Sequence, residues 1–189
     1  MKFAIAIKRK MVYGVLACAV ALTLSNVSPA QRPLSVELPE QCSQIRVPEG
    51  NSLAYRVYAL GVQMYSWDGT SSSWLPGGAM ANLYSNSNYQ GQVGTHHGGP
   101  TWISNSGGLV TGEEEYECSP DSNSIPWLRL RADEVDGVGM FSDTTFIQRL
   151  NTSGGKAPVN PGAYDGEPVN VPYTAEYLFY RAARAQNNS

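Results

Sequence analysis

The chain has 189 residues with 13 Lys or Arg, 16 Asp or Glu and two His, a formal net charge of −3 at neutral pH. Its length suits one domain built around one core. The acidic balance excludes the clustered Lys and Arg by which proteins displace counterions from nucleic acid or anionic membranes, so no nucleic-acid partner is expected.

Lys2, Lys8, Arg9 and Lys10 lead into the apolar run "MVYGVLACAVALTL" at residues 11–24, followed by "SNVSPA" with Ser28 and Ala30 at the positions a signal peptidase reads. This predicts a signal peptide over residues 1–30, cleavage before Gln31 and a secreted product, extracellular or periplasmic. The apolar run is shorter than the roughly 20 residues that cross a bilayer and no second run follows, so no stable membrane anchor is expected. "VLAC" at Cys18 faintly resembles a lipoprotein acylation site, but Leu16 fits poorly and the apolar run continues beyond it. Cleavage removes four of the 13 basic residues and no acidic one, so nine remain against 16, a net −7 over 159 residues. Cys42 and Cys118 are then the remaining cysteines. An even pair in an oxidising compartment predicts one disulfide, with two buried thiols as the rival; their spacing matches no zinc site.

Pro33, Pro39 and Pro48 give residues 31–56 the look of an extended lead-in, followed by a β-rich domain over 57–183 and a disordered tail at 184–189. Residues 53–67, "LAYRVYALGVQMYSW", alternate with period two: Tyr58, Leu60, Val62 and Met64 share one face, and Gln63, Tyr65 and Trp67 the other. Asp68-Gly69 signals a hairpin turn. Short apolar segments follow at 93–102, 109–111, 125–130, 140–150 and 173–180, separated by Gly, Ser, Asn and Pro. The last could compete as a helix, but its tyrosines favour a strand fraying after Arg181. The pattern predicts an all-β, single-domain antiparallel β-sandwich or barrel with long Gly/Pro-rich loops.

"GTHHGGPTW" at 94–102, "IPWLRL" at 125–130, "FIQRLNTSGGKAP" at 146–158 and "VPYTAEYLFYRA" at 171–182 together resemble a family of secreted bacterial and fungal proteins, domain of unknown function 3455. The resemblance covers nearly all of the chain after residue 42. It implies an exported β-rich domain without an established activity. The malate dehydrogenase label carried by some fungal relatives finds no support, since there is no Gly-x-Gly-x-x-Gly between a strand and a helix and no alternating βα pattern.

His96 and His97 are the chain's only histidines and the first candidates for metal binding or catalysis. Neighbours on a regular strand point to opposite faces, so joint chelation needs a bulge or the turn that Gly98, Gly99 and Pro100 allow; the competing reading is a structural histidine bonded to backbone. A copper site built on an amino-terminal histidine is excluded by Gln31 at the predicted mature terminus. Gly154-Gly155-Lys156 is not a phosphate loop, because Leu150 and Ala157 stand where Gly and Ser or Thr are required, and no nucleotide is expected. "EEEYE" at 113–117 and Asp133, Glu134 and Asp136 offer carboxylates for calcium but follow no EF-hand spacing, which favours solvated surface charge. No Gly-x-Ser-x-Gly is present, and a glycosidase pair cannot be read from linear sequence. Gln63, Tyr65, Trp67 and Trp102 suit a sheet face on which sugar rings stack, against the alternative that those rings are core. The resulting expectation is an extracytoplasmic binding or structural module for a carbohydrate or cell-envelope component, with no required cofactor. The alternative is an extracytoplasmic enzyme or metal-binding protein using His96 or His97.

Overall fold

A computed structural model describes residues 37–184; the signal peptide expected at 1–30 and nearly all of the expected tail lie outside that range. A short 3-10 turn, Glu40–Ile45, precedes eight strands: β1 Asn51–Asp68, β2 Ser73–Tyr84, β3 Gln92–His97, β4 Thr101–Ser104, β5 Leu109–Cys118, β6 Trp127–Asp136, β7 Phe146–Gly154 and β8 Pro168–Ala182. Each strand pairs antiparallel with the next, and β8 returns to β1, giving a closed up-and-down barrel. Of the two expected architectures, sandwich or barrel, it is the barrel. Closure leaves no sheet edge among these strands for another chain to pair with.

Several elements differ in extent from their sequence signals. The lead-in ends at Asn51, where β1 begins pairing with β8. The segment at 93–102 is two strands, β3 and β4, because Gly98, Gly99 and Pro100 form the turn between them. The acidic run lies within β5, and residues 173–180 lie within β8, where hydrogen bonding to β1 and β7 on its two sides overrides helix propensity. At the expected turn, the Asp68 carboxylate accepts Thr70 N–H at 2.9 Å and Ser71 Oγ–H at 2.6 Å. These bonds favour its charged form and lower its pKa.

Inside the barrel, Val57, Leu83, Trp102, Val110, Leu130, Ile147, Tyr177 and Phe179 make one core. The lower end, where β6 passes to β7, is stoppered by fully buried Phe141, stacked on Phe179 at 4.1 Å. A second apolar cluster lies outside the sheet: Cys42 and Ile45 of the 3-10 turn pack on Leu150 and Leu178, the outward residues of β7 and β8. Gln148 Nε2 donates to the Ile45 carbonyl at 2.7 Å while its Oε1 accepts from Tyr180 Oη at 2.7 Å, so this outward glutamine is buried with both ends bonded.

The Cys42–Cys118 disulfide, Cα–Cα 5.4 Å, ties the 3-10 turn to the end of β5 across 76 residues of sequence. Closing so long a loop restricts the unfolded chain strongly. Reduction, or the Cys42→Ser, Cys118→Ser double variant, is expected to lower stability by about 2–4 kcal/mol. Urea unfolding with and without reductant checks this; equal midpoints would contradict it.

Candidate functional site at the upper end of the barrel

The antiparallel register sets His96 directly opposite Ala81 on β2 and Trp102 on β4. Alternation then turns His96 inward and His97 outward. The His96 ring is buried and lies flat on Trp102, centroids 4.6 Å apart at 11°, with Tyr177 tilted against it at 5.1 Å. Nδ1 lies 3.0 Å from the Thr101 carbonyl, which can only accept, so Nδ1 carries the hydrogen and Nε2 the lone pair. Burial pushes the His96 pKa down to about 4, outweighing that bond, with Arg149 and His97 adding to the depression. His97 instead bonds Thr95 Oγ1 at 3.0 Å through Nε2. The two imidazoles therefore do not share a ligand site. Among the described residues, no three His, Cys, Asp or Glu side chains gather as a metal-holding group.

His96 lines a cavity of about 140 Å³ at the upper end of the barrel, whose rim includes Gly98, Gly99 and Pro100. A Cβ on Gly78 would stand 2.8 Å from Gly98 Cα, so this side of the rim closes only because both residues lack side chains. Leu128 and Leu130 supply apolar wall, and Gln63, Trp102, Glu114, Arg149 and Tyr177 supply polar groups.

Arg149 is the inward residue two positions beyond the core residue Ile147 on β7. Its Nε donates to the Pro126 carbonyl at 3.0 Å. Its positive charge opposes the burial-driven rise in the pKa of Tyr65, Glu114, Tyr173 and Tyr177 and adds to the depression at His96. In each of these five, burial is the largest effect: it raises the tyrosines and Glu114 and lowers His96.

Glu114 faces the cavity because its neighbours on β5 face out: Glu113 and Glu115 pair with Arg131 and Arg129 on the outer surface, the latter pair at 3.0 Å. Among the described residues, neither Arg149 nor Glu114 takes part in an ion pair. Two buried donors of residues lining the cavity, Gln63 Nε2 and Trp102 Nε1, have no hydrogen-bond partner among the described residues. Each such group costs about 1–3 kcal/mol when left unbonded, so together they mark a place built to be occupied.

The candidate sugar platform does not gather at one place. Gln63 and Trp102 line the cavity, and Trp102, only 1% exposed, is core rather than an exposed stacking ring. Tyr65 also turns inward and donates to the Gly155 carbonyl at 2.7 Å. Trp67 stands apart from the cavity, against Trp74 at 5.4 Å, where the two help line a separate outer cleft of about 560 Å³. Sequence reasoning missed Arg149 and read Glu114, within the run at 113–117, as calcium-binding carboxylate or solvated surface charge rather than as a cavity residue. Their signal was alternation: Glu114 is the odd member of a charged run, and Arg149 falls in step with Ile147 in an apolar strand.

A family model described as "Protein of unknown function (DUF3455)" matches residues 48–181, and the chain belongs to that family. No curated protein and no solved structure matches it.

The depressed His96 pKa has a consequence for stability. Between the unfolded value of 6.5 and the folded value of about 4, the unfolded chain binds the proton and the native state does not. Stability at this site is complete above pH 6.5, falls with pH across that window by about 1.4 kcal/mol per unit, roughly 3 kcal/mol in all, and is constant below it. The His96→Gln variant should lack this slope in urea midpoints measured from pH 7 to 4; an unchanged slope would place the effect elsewhere.

Proposed function

We propose that this chain is an exported binding module that holds a small molecule in the upper end of its barrel. The observation that carries the reading is the cavity of about 140 Å³ lined by Gln63 and Trp102, whose buried donors have no partner among the described residues. Ligand sites combine apolar walls with a few convergent polar groups, and here Leu128 and Leu130 supply the first. The Cys42–Cys118 disulfide supports a place outside the cytoplasm.

Binding is favoured over acid–base catalysis by His96 itself. With a pKa of about 4 it is neutral at physiological pH and a weak proton acceptor, far from the value that suits a general base. Its role in this reading is to offer the Nε2 lone pair. A second reading, stacking of a cell-envelope sugar, is favoured by the outer cleft of Trp67 and Trp74, where Trp74 Nε1 is already committed to the Asn160 carbonyl at 2.9 Å.

Gln63→Leu tests the first reading in a direction that ordinary core mutations do not take. Removing an unpartnered amide while keeping the bulk should raise the stability of the empty protein by about 1 kcal/mol and abolish the midpoint shift given by any interior ligand. Thermal unfolding against a panel of small acids, amines, amino acids and sugars measures both. A destabilised variant that still shows every ligand shift would contradict the interior site.

A further inference from the structure

Of the six polar side chains that line the cavity, Tyr177 is paired with Tyr173 Oη at 3.5 Å, and groups of the other five fall into two sets. Gln63 Nε2, Trp102 Nε1 and the Arg149 guanidinium are donors, and His96 Nε2 and the Glu114 carboxylate are acceptors. The two charges among them are opposite and close enough for Arg149 to act on Glu114, yet they form no ion pair with each other or with any other described residue. A buried donor left without a partner, beside charges that face a common space without touching, is the arrangement expected when a ligand supplies the missing partners.

Resting on the interior-site reading above, we infer that the ligand is a small zwitterion with a carboxylate and an ammonium a few ångströms apart, the chemistry of a free aliphatic or aromatic amino acid. Its carboxylate accepts from Arg149, Gln63 and Trp102, and its ammonium donates to Glu114 and to His96 Nε2. A simple acid leaves both acceptors idle, and a simple amine leaves three donors idle. Leu128, Leu130 and Ala79 border the space left for the side chain. A cavity of about 140 Å³ matches in size the roughly 150 Å³ that admits benzene, so the part of the ligand it encloses has about six heavy atoms. Burial raises the Glu114 pKa, and an ammonium beside it restores the charged form.

Calorimetric titration decides the matter with matched sets: L-alanine, L-valine, L-leucine and L-phenylalanine, each beside its deamino acid and its decarboxylated amine. At least one amino acid should bind, and removing either charged group should weaken it about tenfold or more. Glu114→Gln, which keeps the side chain's size and removes its charge, should cost the amino acid about tenfold and leave its deamino acid unaffected. Arg149→Gln should lose both. An acid or amine that binds as tightly as its amino acid overturns the zwitterion, and so does failure of every amino acid. In that event 4-methyl-2-pentanol separates the two claims. If the alcohol binds and Ala79→Leu abolishes it, the interior site stands and the zwitterion falls; if no guest binds, both fall.

Discussion

The pairing of β1 with β8 is the contact on which the rest of the molecule depends. It runs from Asn51 opposite Ala182 to Ser66 opposite Pro168 and joins the first strand to the last. Without it the other seven pairings make an open meander with two long edges, and the inward residues of β1 and β8 face water. With it, every inward residue faces another across a closed space. The 3-10 turn and its disulfide buttress the outer faces of β5, β7 and β8, so the return strand is held from both sides.

Closure sets a packing problem that the sequence solves unevenly. β4 and β8 send in Trp102, Tyr173, Tyr177 and Phe179, while β1 to β3 and β5 answer with Ala59, Gly61, Ala79, Ala81, Gly94 and Gly112. Large rings opposite small residues fill the lower and middle barrel; a Cβ on Gly112 would come within 3.2 Å of the Trp102 ring. At the upper end the compensation stops. Ala79, Gly78 and Gly98 are small, and His96, Glu114 and Arg149 stand with Leu128, Leu130, Trp102 and Tyr177 around a space they do not fill. A protein interior normally leaves neither space nor unbonded donors. Outside the cavity, Arg56 Nε and Glu176 Oε2 are also buried without a partner among the described residues, but only at the upper end do unbonded donors and empty space occur together, and this coincidence gives the cavity its functional weight.

The all-β class, the long first strand, its turn and the cysteine pair were legible because each depends on local signals: period-two alternation, Asp-Gly and an even cysteine count. Opposite faces for His96 and His97 follow from strand geometry alone. What the sequence could not assign was inside and outside. Tyr58, Leu60, Val62 and Met64 read as the more apolar face of β1, yet Leu60 is exposed and Gln63 and Tyr65 turn inward. Barrel interiors that hold a site carry polar residues where a simple core carries hydrophobes, so hydrophobicity misleads at the site itself. Arg149 and the cavity role of Glu114 stayed hidden for the same reason. Their meaning comes from strands β5 and β7 being brought to one space, which depends on the register of the whole ring.

The interior location of the site is open to direct observation through its indole. The chain has four tryptophans, so a nitrogen-15 correlation spectrum shows four indole N–H signals, and a Trp102→Phe variant identifies the one that matters. Titration with a mixture of small amino acids, acids, amines and sugars should move the Trp102 signal and leave those of Trp67 and Trp74 in place. Movement of Trp67 and Trp74 with Trp102 unchanged would put recognition on the outer cleft and contradict the interior site.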